Sequence, residues 1–149
     1  MPDVRVAGHD DLAFLGARDA HVSADELAAV VDRGRVLLLV DPTGRPVSEP
    51  LGWLRWGLFW DMVPFMNMLQ VVESARGQGL GRLLVEDWER RARDAGHALV
   101  LTSTMSDERA QHFYRHLGYH DTGALQLPGE APELLFRKHL DTGPPAPAR

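Results

Sequence analysis

The chain has 149 residues, the size of one domain with one hydrophobic core. It contains no Cys, which excludes a disulfide framework, a cysteine nucleophile and a thiolate metal site. A formal net charge of −5 without a long basic run argues against nucleic acid as the main partner. No stretch approaches the ~20 apolar residues of a membrane span. The opening Met-Pro-Asp-Val-Arg-Val has no signal-peptide hydrophobic region, so a cytoplasmic protein is expected.

Taken in order, the elements alternate. Val4 to Ala7 reads as a short strand, and Asp10 to about Ala20 as a helix with Leu12, Phe14 and Leu15 as its apolar members. Ser23-x-x-Glu26 is a capping-box pattern that opens a second helix running to about Arg33, where Gly34 stops it. Val36 to Val40 is a run of aliphatic residues, a buried strand, followed by the turn sequence Asp41-Pro42-Thr43-Gly44. Leu51 to Leu58 and Met62 to Val72 read as an antiparallel pair around Phe59-Trp60-Asp61. A helix from Leu83 to Ala95 carries an apolar stripe through Leu84, Trp88 and Ala92, and Gly96 ends it. Ala98 to Thr102 is a strand and Asp107 to Leu117 a helix. Tyr119 to Leu127 and Glu133 to Leu140 form a closing antiparallel pair. The Pro/Ala-rich tail, 141–149, is expected to be disordered, which leaves 1–140 as a single domain. This order predicts a three-layer α/β fold around a mixed sheet.

Two segments carry the chemistry. Between a strand and a helix lies Arg76-Gly77-Gln78-Gly79-Leu80-Gly81-Arg82. The first turn of a helix leaves its N–H donors without intrahelical partners, and the helix dipole adds positive charge there. Gly79 and Gly81 have no Cβ, so a pyrophosphate can sit against the backbone, and Arg76 and Arg82 can pair with its oxygens. Read by itself, such a turn can equally exist for tight packing. It ends in no Gly-Lys-Ser/Thr and matches no Gly-x-Gly-x-x-Gly with a following acid, so the two familiar phosphate loops are set aside. In the second segment, Ala110, Phe113, Tyr114 and Leu117 share one helix face and Gly118 terminates the helix. Tyr114 reads either as a core aromatic or as a phenol able to give a proton to a bound ligand.

Arg76-x-x-Gly79-x-Gly81, followed by Ala110-x-x-Phe113-Tyr114-x-x-x-Gly118-Tyr119, resembles the GNAT superfamily of acyl-CoA-dependent N-acyltransferases. The likeness spans about Leu51 to Leu140; Tyr119 replaces the usual Phe, and Asp107 stands where many relatives carry Asn. It implies a GNAT-like fold, acetyl-CoA as co-substrate and no metal. It implies that the backbone of Leu69, Gln70 and Val71 pairs with the pantetheine arm as an added strand. It implies that Arg76, Gly77, Gln78, Gly79, Leu80, Gly81 and Arg82 hold the pyrophosphate, with Asp107, Ala110 and Phe113 also on the cofactor side. Tyr114 is then the acid that protonates the departing thiolate, its unperturbed pKa near 10 keeping it protonated. N–H groups near Val71 polarise the thioester carbonyl.

The acceptor side is marked by Trp53-Leu54-Arg55-Trp56-Gly57-Leu58-Phe59-Trp60-Asp61. Strand alternation puts Trp53 and Trp56 on opposite faces. Trp56, Trp60, Asp61 and Asn67 are candidate acceptor contacts, since aromatic walls near an acid suit an amine. For the base, Asp61, Glu73, Glu49, His21 and a chain of water stay open. His112 and His116 read as a solvated helix face rather than a metal site. The expected reaction is acetyl transfer to a primary amine, a small molecule, by direct attack in a ternary complex. A protein N-terminal or lysine acetyltransferase and a non-catalytic acyl-CoA-binding domain are the alternatives. The oligomeric state stays open; the resemblance allows a homodimer through an edge strand or the last hairpin, and the Glu133 to Leu140 strand could provide it.

Overall fold

A computed structural model describes residues 2–43 and 49–141. The elements run β1 (Asp3–Val6), α1 (Leu12–Arg18), α2 (Ala24–Asp32), β2 (Val36–Val40), β3 (Gly52–Phe59), β4 (Val63–Val71), α3 (Leu80–Asp94), β5 (Leu99–Met105), α4 (Ala110–His116), β6 (His120–Leu125) and β7 (Glu133–His139). Hydrogen bonding orders the strands β1-β2-β3-β4-β5-β7-β6 in a mixed sheet, as the alternating sequence predicts. The expectation of a disordered tail lies outside the described residues. The chain forms two compact units, one of 1–57 and 67–88, the other of 58–66 and 89–149.

In the first unit, β1, β2 and β3 pair antiparallel. Ser23 Oγ accepts from Glu26 N–H at 3.3 Å, which satisfies one of the orphan donors opening α2. Leu27 and Val31, one turn apart on α2, join Ala7, Leu15, Val36, Leu38 and Trp53 in one buried cluster. The first helix ends before Ala20, because Asp19 leaves helical geometry and its carboxylate takes Arg55. Gly52 has no room for a side chain, since a Cβ there would stand 2.7 Å from Gln70 O. That close approach joins the start of β3 to the end of β4, where Val72 N–H also donates to Leu51 O at 2.8 Å.

In the second unit, β5 pairs parallel with β4 at Phe65↔Leu101 and Met66↔Thr102. It pairs antiparallel with β7 from Leu99↔His139 to Met105↔Glu133. This long ladder carries β5 past the Thr102 end read from the sequence. Helix α4 is shorter than expected because Glu108 is spent in the preceding turn, accepting from Thr104 Oγ1 at 2.9 Å. The β7 strand lies between β5 and β6, with both ladders filled. Glu133 to Leu140 therefore has no free edge of its own, which leaves the last hairpin its outer strand. The edge strand is β6, placed there by a connection that returns β7 into the sheet.

Candidate functional site

The glycine turn belongs to the first unit. β4 ends at Val71, a short 3-10 turn spans Glu73–Ala75, and α3 begins at Leu80, three residues earlier than the sequence suggested. Gly77 and Gly79 have φ of +78° and +75°, left-handed values that L side chains rarely adopt. A Cβ at either would meet nothing within 4 Å, so backbone conformation rather than crowding requires glycine at both. The first N–H of the α3 ladder is that of Leu83, donating to Gly79 O at 3.3 Å. The N–H groups of Leu80, Gly81 and Arg82 precede it and have no carbonyl one turn back. Gly81 and Arg82 thus belong to the first helical turn, where donors and dipole favour an anion. The turn fits a pyrophosphate: it is exposed from Arg76 to Gly79, and its glycines leave the backbone bare.

The two arginines of the turn are engaged. Arg76 Nε donates to Val71 O at 3.0 Å. Arg82 Nε donates to Glu86 at 2.6 Å, one turn along α3. Each fixes only its Nε in these bonds. Because Val72 N–H faces β3, alternation turns the polar groups of Val71 and Leu69 to the other side of β4. The ladder between β4 and β5 has its rungs at Phe65 and Met66, short of Leu69. Gln70 alternates with these two and is half-buried.

Tyr114 belongs to the second unit and is 6 % exposed on α4. Its ring packs edge-on against Phe113 and Tyr119, at 5.4 and 5.8 Å, and tilted against Phe136 at 6.1 Å. Burial pushes its phenol up to about 12; a hydrogen bond with the Thr102 hydroxyl works the other way, and the charges of Glu108 and Glu133 add to the rise. Thr102 Oγ1 in turn donates to Met66 O at 3.0 Å, which ties the phenol to the rung where β4 and β5 pair. Ala110 is half-buried at the start of α4, and Asp107 lies exposed in the turn before it. Gln111 Nε2 holds that turn by donating to Ser106 O and Glu108 O.

The acceptor candidates are divided between the two units, Trp56 and Asn67 in the first and Trp60 and Asp61 in the second. Trp56 packs on Trp88 in the first unit, 6.4 Å between rings, whereas Trp53 joins the cluster against α1 and α2. Trp60 and Asp61 are the central residues of the turn between β3 and β4, closed by Met62 N–H donating to Phe59 O at 3.1 Å; both are exposed and both at left-handed φ, 55° and 59°. Trp60 leans on Phe59 in the second unit, 4.6 Å between rings. Asn67 is exposed on β4. Of the other candidate bases, Glu49 pairs with Arg18 at 2.9 Å, and Glu73 and His21 are exposed. His112 and His116 are both exposed on α4.

Two buried polar groups escaped the sequence reading. Arg55 Nε meets Asp19 at 2.8 Å, with the two side chains 9 % and 0 % exposed. Glu89 of α3 accepts from the Tyr119 hydroxyl and from Lys138 Nζ, each at 2.8 Å. A cation inside an apolar strand was the available signal for the first; its partner, 36 residues away, left none.

A family model for the acetyltransferase (GNAT) family matches residues 13–119. No curated protein matches the sequence. A GNAT-family acetyltransferase from Bacillus cereus is similar in structure, with a TM-score of 0.73 at 20% identity over 93% of this chain and 97% of that one. The ribosomal-protein-S18-alanine N-acetyltransferase from Escherichia coli superposes with a TM-score of 0.74 at 16% identity, covering 93% of this chain and 94% of that one. A putative acetyltransferase from Salmonella typhimurium, solved with acetyl-CoA, gives 0.74 at 18% identity over 99% of this chain and 98% of that one.

Proposed function

The chain belongs to the GNAT family of acetyltransferases, and from that premise we propose that it moves an acetyl group from acetyl-CoA to a primary amine by direct attack in a ternary complex. The observation that carries this reading is the turn at residues 76–82, with two glycines in left-handed conformation and bare donors opening α3. In it, the N–H groups of the turn and of Leu80 to Arg82 bind the pyrophosphate. The free nitrogens of Arg76 and Arg82 add charge from either side. The outward polar groups of Leu69 and Val71 hold the pantetheine amides as a further strand would. Acetyl-CoA brings the activated acyl group and a thiol as leaving group.

Tyr114 is the donor to the departing sulfur. With its pKa pushed up to about 12, the phenol is protonated throughout the neutral range, so a hydrogen bond to the sulfur is always available. Thr102 orients it through the shared hydroxyl contact. No cysteine exists to carry an acyl group, which favours direct attack. We assign the attacking amine's proton to water, because Glu49 is committed to Arg18 and Glu73 and His21 are exposed. The rate should then rise with pH along the acceptor's own titration. Asn67 is the polar contact we retain on the acceptor side.

The test is thiol release from acetyl-CoA across polyamines, aminoglycosides, amino acids and N-terminal peptides, with Tyr114→Phe alongside. Turnover on one amine class, reduced about 10²-fold or more in Tyr114→Phe, supports the reading. Turnover untouched by Tyr114→Phe removes Tyr114 as the donor. Tight acetyl-CoA binding without turnover on any amine replaces the enzyme by a binding domain. Activity confined to peptides makes the acceptor a protein terminus. Loss of CoA binding in Gly79→Glu, whose side chain would enter the turn, checks the pyrophosphate assignment.

A further inference from the structure

The second unit holds an apolar groove of about 270 Å³ that the proposed acetyl transfer leaves without an assigned role. Its walls include Phe59, Trp60, Phe65, Leu101, Leu135 and Arg137. The β5–β7 register sets Leu101 beside Arg137 and Thr102 beside Phe136. Alternation therefore places the half-buried Leu99, Leu101, Leu135 and Arg137 on one face of the ladder. The buried Val100, Thr102 and Phe136 lie on the other, with Tyr114 against Phe136. Most of the groove's walls are on the face away from the phenol, and Phe136 borders it as well.

Beside it stands the β3–β4 turn. Trp60 is 77 % exposed and Met62 68 %. A type I′ hairpin turn needs positive φ at both central residues, and Asn-Gly is its usual filling. Here the residues are Trp60 and Asp61, with φ of 55° and 59°. A bulky aromatic at such an angle is a conformational outlier, a kind of strain that concentrates at functional positions. Stacking holds the arrangement: Trp60 on Phe59 at 4.6 Å, and Phe59 on Phe65 at 5.9 Å. A strained turn presenting a large apolar side chain to water, next to an apolar groove, marks a contact surface.

Charge identifies the occupant. Asp61 at the tip and Arg137 in the groove are opposite in sign, and among the described residues neither has an ion pair or side-chain hydrogen bond. The tip carries apolar side chains and an acid; the groove offers apolar walls and a base. Such a patch is complementary to itself, the condition for a two-fold interface in which each copy gives and receives the same contact. We infer that the groove receives the β3–β4 turn of a second copy of the chain, Trp60 and Met62 covering its apolar walls and Asp61 pairing with Arg137 of that copy. β6 contributes Thr122 to the wall, and the glycine turn at 76–82 takes no part, so the inference stands apart from the acetyl-transfer reading.

Sedimentation equilibrium on the full chain tests it, with circular dichroism to confirm that each variant is folded. The wild type is expected to be a dimer with micromolar dissociation. Trp60→Ser should be a monomer at the same concentrations. Asp61→Arg and Arg137→Asp should each weaken the dimer roughly 30-fold or more by setting like charges together, and the double reversal Asp61→Arg with Arg137→Asp should restore most of it. A monomeric wild type, a dimer indifferent to these changes, or a double variant no stronger than the singles overturns the inference. So does a monomer whose groove takes a small apolar acid, seen as 3-phenylpropionate shifting the Trp60 resonances in the wild type but not in Arg137→Gln.

Discussion

At the scale of single residues, the protein sets its two tyrosines in places that only the neutral phenol suits. Tyr119 is buried and donates to Glu89, and both desolvation and that carboxylate raise its pKa. Tyr114 is pushed up to about 12, first by burial. A folded-state pKa above the unfolded value means the folded chain holds its proton more tightly. The stability so gained is present below the unfolded pKa of about 10 and is lost as pH rises through the folded value. For Tyr114, the rise from an ordinary phenol to about 12 corresponds to a loss of about 3 kcal/mol across that range. Urea midpoints measured from pH 9 to 12 should fall, and Tyr114→Phe should remove part of that slope while leaving neutral pH less affected. The buried pair of Arg55 and Asp19 makes a second residue-scale prediction. Asp19→Ala leaves a guanidinium buried without its partner and should cost about 3–5 kcal/mol by chemical denaturation. Asp19→Ala combined with Arg55→Met should lose less than Asp19→Ala alone, because no charge is then stranded.

Elements differ in how much their glycines matter. Gly52 brings β3 against β4, and a Cβ there would press on Gln70 O at 2.7 Å and Leu84 Cδ1 at 3.3 Å. Backbone does not yield as a flexible side chain does, so Gly52→Ala should destabilise by about 1–3 kcal/mol and loosen the strand end that leads to the glycine turn. Gly16 is the opposite case: it lies inside α1 with open space around its Cβ position. Gly16→Ala should raise stability by about 0.5–1 kcal/mol, since only the entropy of the unfolded chain and helix propensity change. Thermal melts of the two variants should move in opposite directions. Helix α3 opens with unpaired donors in its first turn and packs its inner face through Leu84, Val85 and Trp88.

For the whole molecule, net charge rather than any one pair sets colloidal behaviour. Sixteen basic residues against 21 acidic ones leave −5 at neutral pH, and the sequence pI is about 5.7. Acidification towards that value removes the mutual repulsion of copies. Light scattering should therefore rise, and solubility fall, between pH 7 and about pH 5.7.

Local pattern and short-range chemistry were enough for much of this protein. The order of strands and helices, the Ser23 cap, the opposed faces of Trp53 and Trp56, and the two motifs that mark the family all depend on residues within a turn or strand of one another. Periodicity and glycine placement report such features directly. What only the tertiary structure decided involves residues far apart in the chain. The sequence pairs Tyr119 to Leu127 with Glu133 to Leu140, but does not say that β7 goes inside and β6 outside. It shows an odd cation at Arg55, but not Asp19; a glutamate in α3, but not Tyr119 and Lys138. It shows Trp60-Asp61 between two strands, but not that hairpin geometry forces both into left-handed backbone and leaves the indole in water. Strand order, ion-pair partners and exposure depend on which distant segments share the same space, and a linear pattern carries no record of that contact.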